Sequence, residues 1–446
     1  MTSGELPLAA YHRASHVGSG SFGSVLTVYD NEGDEYALKL FSRTNDEDDE
    51  EDSPASLLEL GALREISILR LLRGSNSHPN IIALHDVQTE FAEEDEGAGT
   101  TGLLGMAMPL FPAGTVADAL ATASRRAKVQ MAHGLLCAVE FLHANGILHR
   151  DIKSANVLLR YSDDVDGTCT AVLCDFSLAK PIEAHMWSTS TTKAEENKKK
   201  GQMQSTLPSL ESVQHTGGVG TVVYTAPEIW SDEPYSYPSD VYSTGIVLLE
   251  LLRGSLLMAE KNKQSLAEVQ DAISDIDVSK PFGMLVQECL QVDPTVRPTA
   301  TGALRHQLFS KFGLEPPLAQ KRVHIPTAIP YDDDGEVEKK HRQRRLKAVN
   351  KVFHSQLNVS CQHPWTRLAA LEYSQQFEQM DAVEDGSQAM IDCCILAYRL
   401  FELEVLDLAE LDEQLPSWCL DEYIDNEATL FMLLDHCLYP RNLTEP

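Results

Sequence analysis

The chain has 446 residues, too many for one compact core, and 43% of them are apolar, which is ample for globular packing. Its 36 basic residues against 67 acidic ones leave a formal net charge of −31, a poor balance for gripping nucleic acid or an anionic membrane, so neither partner is expected. Nine cysteines occur without a C-x-x-C pair, which signals neither a zinc site nor a disulfide framework and suits a reducing compartment. No basic-then-apolar leader opens the sequence, so secretion is not expected and a nuclear or cytoplasmic location is.

The first informative stretch is Val17-GSGSFGSV, with Gly18, Gly20 and Gly23 ahead of Val25. Glycines at such positions let backbone amides approach phosphate oxygens with no Cβ in the way. A dinucleotide loop of this spacing should open a helix. Here TVYDNEGDEYALKL follows, which predicts strand, turn and strand, with Gly33 in the turn and Lys39 ending an alternating strand. The other reading of Lys39 is a solvated strand charge. Seven acids, Asp46 to Asp52, read as a solvated loop insertion.

GALREISILRLL, Gly61 to Leu72, predicts a helix with Leu63, Ile66, Leu69 and Leu72 on one apolar face and Arg64 and Glu65 side by side. The uncharged run Ala98 to Ala117 holds Pro109 and Pro112, so it predicts a strand and connector instead of a membrane helix.

Three further strings follow in order: HRDIKSANVLL (His149 to Leu159), VLCDF ending at Phe176, and GTVVYTAPE (Gly220 to Glu228). Together with the glycine loop and Lys39 they resemble the protein kinase family over roughly Tyr11 to Gly313. The resemblance implies an α+β bilobal kinase fold over residues 11–313, with ATP and Mg²⁺ as cofactors and protein hydroxyls as acceptors. Phosphoryl transfer leaves the protein chiefly positioning and charge stabilisation to supply. The resemblance makes Asp151 the carboxylate that orients the substrate hydroxyl and accepts its proton. Asn156 and Asp175 become the oxygen ligands suited to Mg²⁺. Lys39, held by Glu65, becomes the grip on the α- and β-phosphates. Lys153, two residues after the base, implies a Ser or Thr acceptor, and Thr221 agrees. The nucleotide is expected to lie among Gly18, Ser19, Gly20, Ser21, Gly23, Val25, Ala37, Met108, Leu110, Phe111 and Leu158, with Pro109 to Phe111 as the hinge. Glu228 and Arg297 are expected to pair, and Asp240 to tie down the catalytic loop.

The usual Asp-Phe-Gly reads here as Asp175-Phe176-Ser177. Serine removes no catalytic atom and costs about 1 kcal/mol or less unless its φ is positive. The stretch between Asp175 and Glu228 is long, and its middle, residues 188–192 and then Lys198 to Lys200, lacks apolar periodicity and reads as a mobile insertion.

ALREISIL resembles the helix of the cyclin-dependent kinases that a cyclin pushes inward; the other reading is an ordinary kinase helix with shared letters. Thr216, five residues before Thr221, matches that group's activating threonine, and Arg64, Arg150 and Lys180 stand where it carries its phosphate clamp. Thr225 and Phe22 depart from that group, and Thr225 puts a preference for Ser/Thr-Pro in doubt.

Residues 314–349 are rich in proline and charge and read as a linker; Lys339 to Arg345 is either an import signal or a solvated face. From about residue 350 three amphipathic stretches predict a small all-α domain running to 446. The middle one, around Ala397-Tyr398-Arg399-Leu400-Phe401-Glu402, resembles the third helix of a cyclin box. Tyr423-Ile424-Asp425-Asn426 resembles a later turn of that box, and Asp435 is the candidate partner of Arg399. Cys393 and Cys394 are expected in the core. The expectation is a cyclin-dependent-like Ser/Thr kinase fused to its own activator, with an external cyclin or other regulatory protein as a possible further partner. The competing readings are a pseudokinase scaffold and a generic Ser/Thr kinase whose tail recruits partners.

Overall fold

The computed structural model of the chain describes residues 11–20, 23–41, 60–73, 77–92, 101–162, 168–181, 221–231, 235–257 and 264–317, and further on 347, 349, 351–353, 357, 369–370, 373–374, 388–401, 415 and 423. It divides into two compact units. One comprises the described residues of Met1–Leu71, Leu84–Met108 and Pro326–Pro446; the other comprises those of Leu72–Ala83 and Pro109–Ile325. The mixture of helix and strand agrees with the α+β expectation.

In the first unit β1 (His12–Gly20), β2 (Gly23–Tyr29), β3 (Glu35–Phe41), β4 (Asp86–Ala92) and β5 (Thr101–Pro109) form a sheet of order β1-β2-β3-β5-β4, with β1–β2, β2–β3 and β4–β5 antiparallel. The predicted strand–turn–strand is present. Gly33 takes φ +91°, a left-handed value that glycine adopts without a Cβ penalty, and the Asp30 carboxylate accepts from the amides of Glu32 and Asp34 across the turn. Alternation along β2 and β3 then sorts the side chains. Leu26, Val28, Leu38 and Leu40 enter one cluster with Tyr11 and Ala107, while the register Val25↔Lys39 and Thr27↔Ala37 puts those four on the opposite face. Lys39 does not end its strand, because β3 continues through Leu40 and Phe41, both needed by the core. The uncharged run supplies β5, as expected.

Helix α1 (Leu60–Leu71) buries Leu63, Ile66 and Leu69, with Leu72 buried just beyond its end. Its burial goes further than one stripe, for Ala62, Glu65, Ser67 and Ile68 are covered too. Glu65 faces Lys39 on β3, and α1 has a further neighbour in the tail helix (Gln388–Phe401), which touches it. Every described side chain of that helix from Met390 to Tyr398 is buried, Cys393 and Cys394 among them. The tail therefore groups with the N-terminal sheet in one unit. Lys347 and Val349 are already helical, so helix begins within the stretch read as linker. Arg399 Nη1 donates to the Tyr423 hydroxyl at 2.9 Å, with its guanidinium 5.9 Å from that ring; Asp435 lies outside the described residues.

The second unit carries α2 (Val116–Ala119), α3 (Arg125–Ala144), β6 (Ile147–Leu148), β7 (Val157–Tyr161), β8 (Cys169–Leu173), β9 (Lys180–Pro181), α4 (Tyr237–Arg253), α5 (Gln264–Ser274), α6 (Pro281–Cys289), α7 (Ala300–Leu304) and α8 (Gln307–Ser310). Helix α3, capped by the Ser124 hydroxyl, packs against β8, α4 and α7. Helix α4 packs on α6 so closely that a Cβ on Gly245 would lie 2.8 Å from Leu290 and 2.9 Å from Cys289. Among the described residues no helix is long and apolar enough to cross a membrane.

The expected Glu228–Arg297 pair is present and bidentate, both N···O distances being 2.7 Å, and Arg297 also donates to the carbonyls of Pro238, Gln291 and Val292. Both side chains are buried, so Glu228→Ala leaves a guanidinium without its carboxylate and is expected to cost about 3–5 kcal/mol, read from urea denaturation. A loss below about 1 kcal/mol would mean that water replaces the carboxylate, the behaviour of an exposed pair.

Candidate active site

In the first unit the Lys39 ammonium meets Glu65 Oε2 at 2.7 Å, joining β3 to α1. Glu65 is 1% exposed, and a carboxylate buried this far needs such a partner. Val25 and Ala37 share the Lys39 face of the sheet. Gly18, Ser19 and Gly20 lie on β1 opposite Val25, Ser24 and Gly23, so the hairpin closes on backbone without side chains at Gly20↔Gly23. Ser21 and Phe22 lie outside the described residues. Met108 is buried near the end of β5.

The second unit holds the loop from His149 to Asn156. Asp240, fully buried at the start of α4, accepts from the amide of His149 at 3.0 Å and the amide of Arg150 at 3.0 Å. His143 Nε2 (3.0 Å) and the Tyr235 hydroxyl (3.2 Å) donate to the same carboxylate. Burial works to raise the Asp240 carboxyl, but the hydrogen bonds from His143 and His149 hold it below its usual value. This anchoring sustains Arg150 at φ +68°, an uncommon left-handed value for an arginine.

His149 is fixed as one tautomer. Its Nε2 faces the Cys174 carbonyl at 3.1 Å and must donate, so Nδ1 accepts the Asp151 amide at 3.3 Å. Burial lowers the His149 pKa, which keeps this neutral form. The ring also meets Phe176 edge-on, with centroids 4.9 Å apart. His149 therefore ties the catalytic loop to the segment bearing Asp175.

Asp151 Oδ2 accepts from Lys153 Nζ at 2.7 Å and from Asn156 Nδ2 at 2.9 Å. Burial pushes its carboxyl up, and the Lys153 charge opposes that shift. A base with a raised pKa is lost as pH falls through that value, so the acid limb of kcat/KM should sit above the ordinary carboxylate range. Lys153→Ala removes the opposing charge and should move the limb to still higher pH in a pH–rate profile. A limb that stays put or moves down would show that Asp151 is not the titrating base.

Asn156 uses its amide nitrogen for both of its side-chain bonds, to the Asp151 carboxylate and carbonyl, which leaves the amide oxygen for a cation. With the Asp175 carboxylate this is a hard-oxygen pair that fits Mg²⁺. Among the described residues no group of three or more His, Cys, Asp or Glu is arranged for a metal ion.

Other expected residues are placed singly. Leu110 and Phe111 are half-buried just after β5, Phe111 lying under the Arg160 guanidinium at 5.3 Å; Leu158 is half-buried on β7, paired with Val172. Lys180 on β9 pairs with Leu148, two residues before Arg150. Arg150 itself rests 5.5 Å from the Tyr235 ring. Arg64 lies on α1 in the other unit, and Thr216 lies outside the described residues.

Two features escaped the sequence reading. Tyr224 donates to the Glu250 carboxylate at 3.0 Å and lies 3.0 Å from Ser154 Oγ, tying the catalytic loop to α4; burial raises both the tyrosine and the glutamate. A lone acid inside the apolar run GIVLLELL was the available signal. The other is Ser177, whose hydroxyl donates to Asp175 Oδ1 at 2.8 Å.

Comparison with known proteins agrees with this geometry. A family model described as protein kinase domain matches residues 11–309. A probable serine/threonine-protein kinase of Dictyostelium discoideum is 28% identical over 331 residues, 70% of this chain and 30% of that protein. The probable serine/threonine-protein kinase KCC4 of Saccharomyces cerevisiae is 28% identical over 66% of this chain and 25% of its own length. The serine/threonine-protein kinase pak-2 of Caenorhabditis elegans is 29% identical over 55% of this chain and 40% of its own. The chain thus spans between a quarter and less than half of each of these three. With the matched family covering most of its length and the Lys39–Glu65 pair and the Asp151, Lys153 and Asn156 cluster in place, this chain belongs to the protein kinase family.

Proposed function

We propose that the chain is an active serine/threonine protein kinase that transfers the γ-phosphoryl group of ATP to hydroxyls of protein substrates. The observation that carries this reading is the Asp151 carboxylate held by Lys153 and Asn156 at hydrogen-bond distance, a base oriented before any substrate arrives. Asp151 accepts the hydroxyl proton as the substrate oxygen attacks phosphorus and the bond to the ADP oxygen breaks. Lys153 keeps the base ionised and adds positive charge beside the transferring group. Lys39, positioned by Glu65, binds the α- and β-phosphates. Asn156 and Asp175 hold Mg²⁺, which when bound neutralises charge developing on the phosphates. The test is Mg²⁺-dependent transfer of labelled phosphate from ATP to Ser/Thr peptides; no transfer under any activation state leaves the scaffold reading standing.

The contact between the tail helix and α1 favours a finer reading, in which the chain is cyclin-dependent-like and carries a cyclin-like activator. The tail covers the helix that bears Glu65, so it holds the Lys39–Glu65 pair closed without a diffusing partner. In this reading phosphate on Thr216 meets Arg64, Arg150 and Lys180, supplying about −1.5 to −2 charge to neutralise them. Thr216→Ala should then lower activity several-fold, and mass spectrometry of active protein should find Thr216 phosphorylated. Active protein with Thr216 unmodified would remove this part of the reading.

A further inference from the structure

The residue that departs from the family's Asp-Phe-Gly pattern touches the metal-binding carboxylate. Ser177 Oγ donates to Asp175 Oδ1 at 2.8 Å, and the serine is 0% exposed, so water does not compete for the hydroxyl. Ser177 sits second in a turn closed by the Ala179 amide on the Phe176 carbonyl at 3.0 Å. Among the described non-glycine residues only Arg150 and Asp175 take positive φ. Serine therefore occupies the glycine position at no left-handed cost. Asp175 is the strained member, at φ +64°.

A carboxylate rotates readily about its last side-chain bond, because that torsion has only broad, shallow wells. Something must choose one orientation for it to serve as a metal ligand. Glycine at the third position has no side chain with which to do so. We propose that Ser177 is a positioning residue for metal binding: its hydroxyl fixes the orientation of the Asp175 carboxylate, adding a restraint that glycine at this place lacks. The inference rests on the kinase reading, in which Asp175 and Asn156 hold the divalent ion.

The consequence is a metal site whose ordering cost is met before the ion arrives. It is specific to the ion, since the group Ser177 touches is the metal ligand. Mn²⁺ binding to the full chain in saturating ADP, followed by electron paramagnetic resonance, reads the site directly. Ser177→Ala removes only the hydroxyl and should raise the Mn²⁺ dissociation constant about five- to tenfold, the range for losing one hydrogen bond. Ser177→Gly should raise it at least as far, because it also frees the backbone. ADP affinity measured in EDTA should stay within about twofold of the wild type in both variants, and the apparent KM for Mg²⁺ should rise with the Mn²⁺ constant. Mn²⁺ affinity unchanged in both variants would overturn the inference while leaving the kinase reading intact. Metal-free ADP affinity falling by the same factor as Mn²⁺ affinity would also overturn it, since Ser177 would then be merely structural. Failure of the wild type to bind Mn²⁺ with ADP would instead remove the kinase reading and this inference together.

Discussion

Asp151→Asn is expected to lower phosphoryl transfer by a factor on the order of 10²–10⁴, the range for a positioned general base, with the fold preserved. Asparagine keeps an oxygen to accept from Lys153 and Asn156, so the local bonds of 2.7 and 2.9 Å have a substitute acceptor. What disappears is the charge able to take a proton. Lys39→Met should fall as far for a different reason: it removes the phosphate grip and leaves the buried Glu65 carboxylate without its 2.7 Å partner. The two are separable. Asp151→Asn should bind ATP with near wild-type affinity, whereas Lys39→Met should bind it more weakly and melt earlier. Calorimetric ATP titration and a thermal melt decide between these outcomes. Wild-type turnover in either variant would contradict the assigned roles.

A chain ending at Gly313 is expected to lose at least about tenfold in activity, and the separate tail should restore part of it only at high concentration. The tail helix touches α1, and its buried side chains from Met390 to Tyr398 include Ile391, Ile395 and Leu396. Removing the tail returns to water the α1 surface it covers, at roughly 25 cal/mol per Å² of apolar area, and a helix as short as α1 is marginal without packing partners. With α1 loosened, Glu65 no longer meets Lys39 for a fixed fraction of the time. Covalent attachment through a linker corresponds to an effective concentration of about a millimolar, which is why rescue by the free tail requires high concentration. Full activity in the truncated chain would show that α1 keeps its place unaided.

The kinase motifs were legible because each is a local run that resembles the family's and they stand in the family's order. The same locality made the β2–β3 strands and turn legible: Leu26, Val28, Leu38 and Leu40 alternate with Val25, Thr27, Ala37 and Lys39 at the period of a pleated strand. Helix α1 was legible as an apolar stripe at Leu63, Ile66 and Leu69. The burial of Ser67 and Ile68 off that stripe was not, because the apolar pattern marks only one face of the helix.

The amino-acid sequence by itself determined the alternating strands, the α1 helix and the ordered set Lys39, Glu65, Asp151, Lys153, Asn156 and Asp175. The strands and the helix follow from side-chain periodicity, which acts over a few neighbouring positions, and the six residues from the resemblance of their ordered motifs to the protein kinase family. Only the tertiary structure decided that the tail helix lies on α1, that His149 donates to Cys174 and accepts from Asp151, and that Glu250 answers Tyr224. Each of those joins groups through burial and direction, with partners as far apart in sequence as α1 and the tail helix. Even the two-residue step from Ser177 to Asp175 belongs with them. The letters Asp-Phe-Ser carry no φ angle. The 2.8 Å bond exists because the fold sets Asp175 at φ +64° and buries the serine where no water can take its proton.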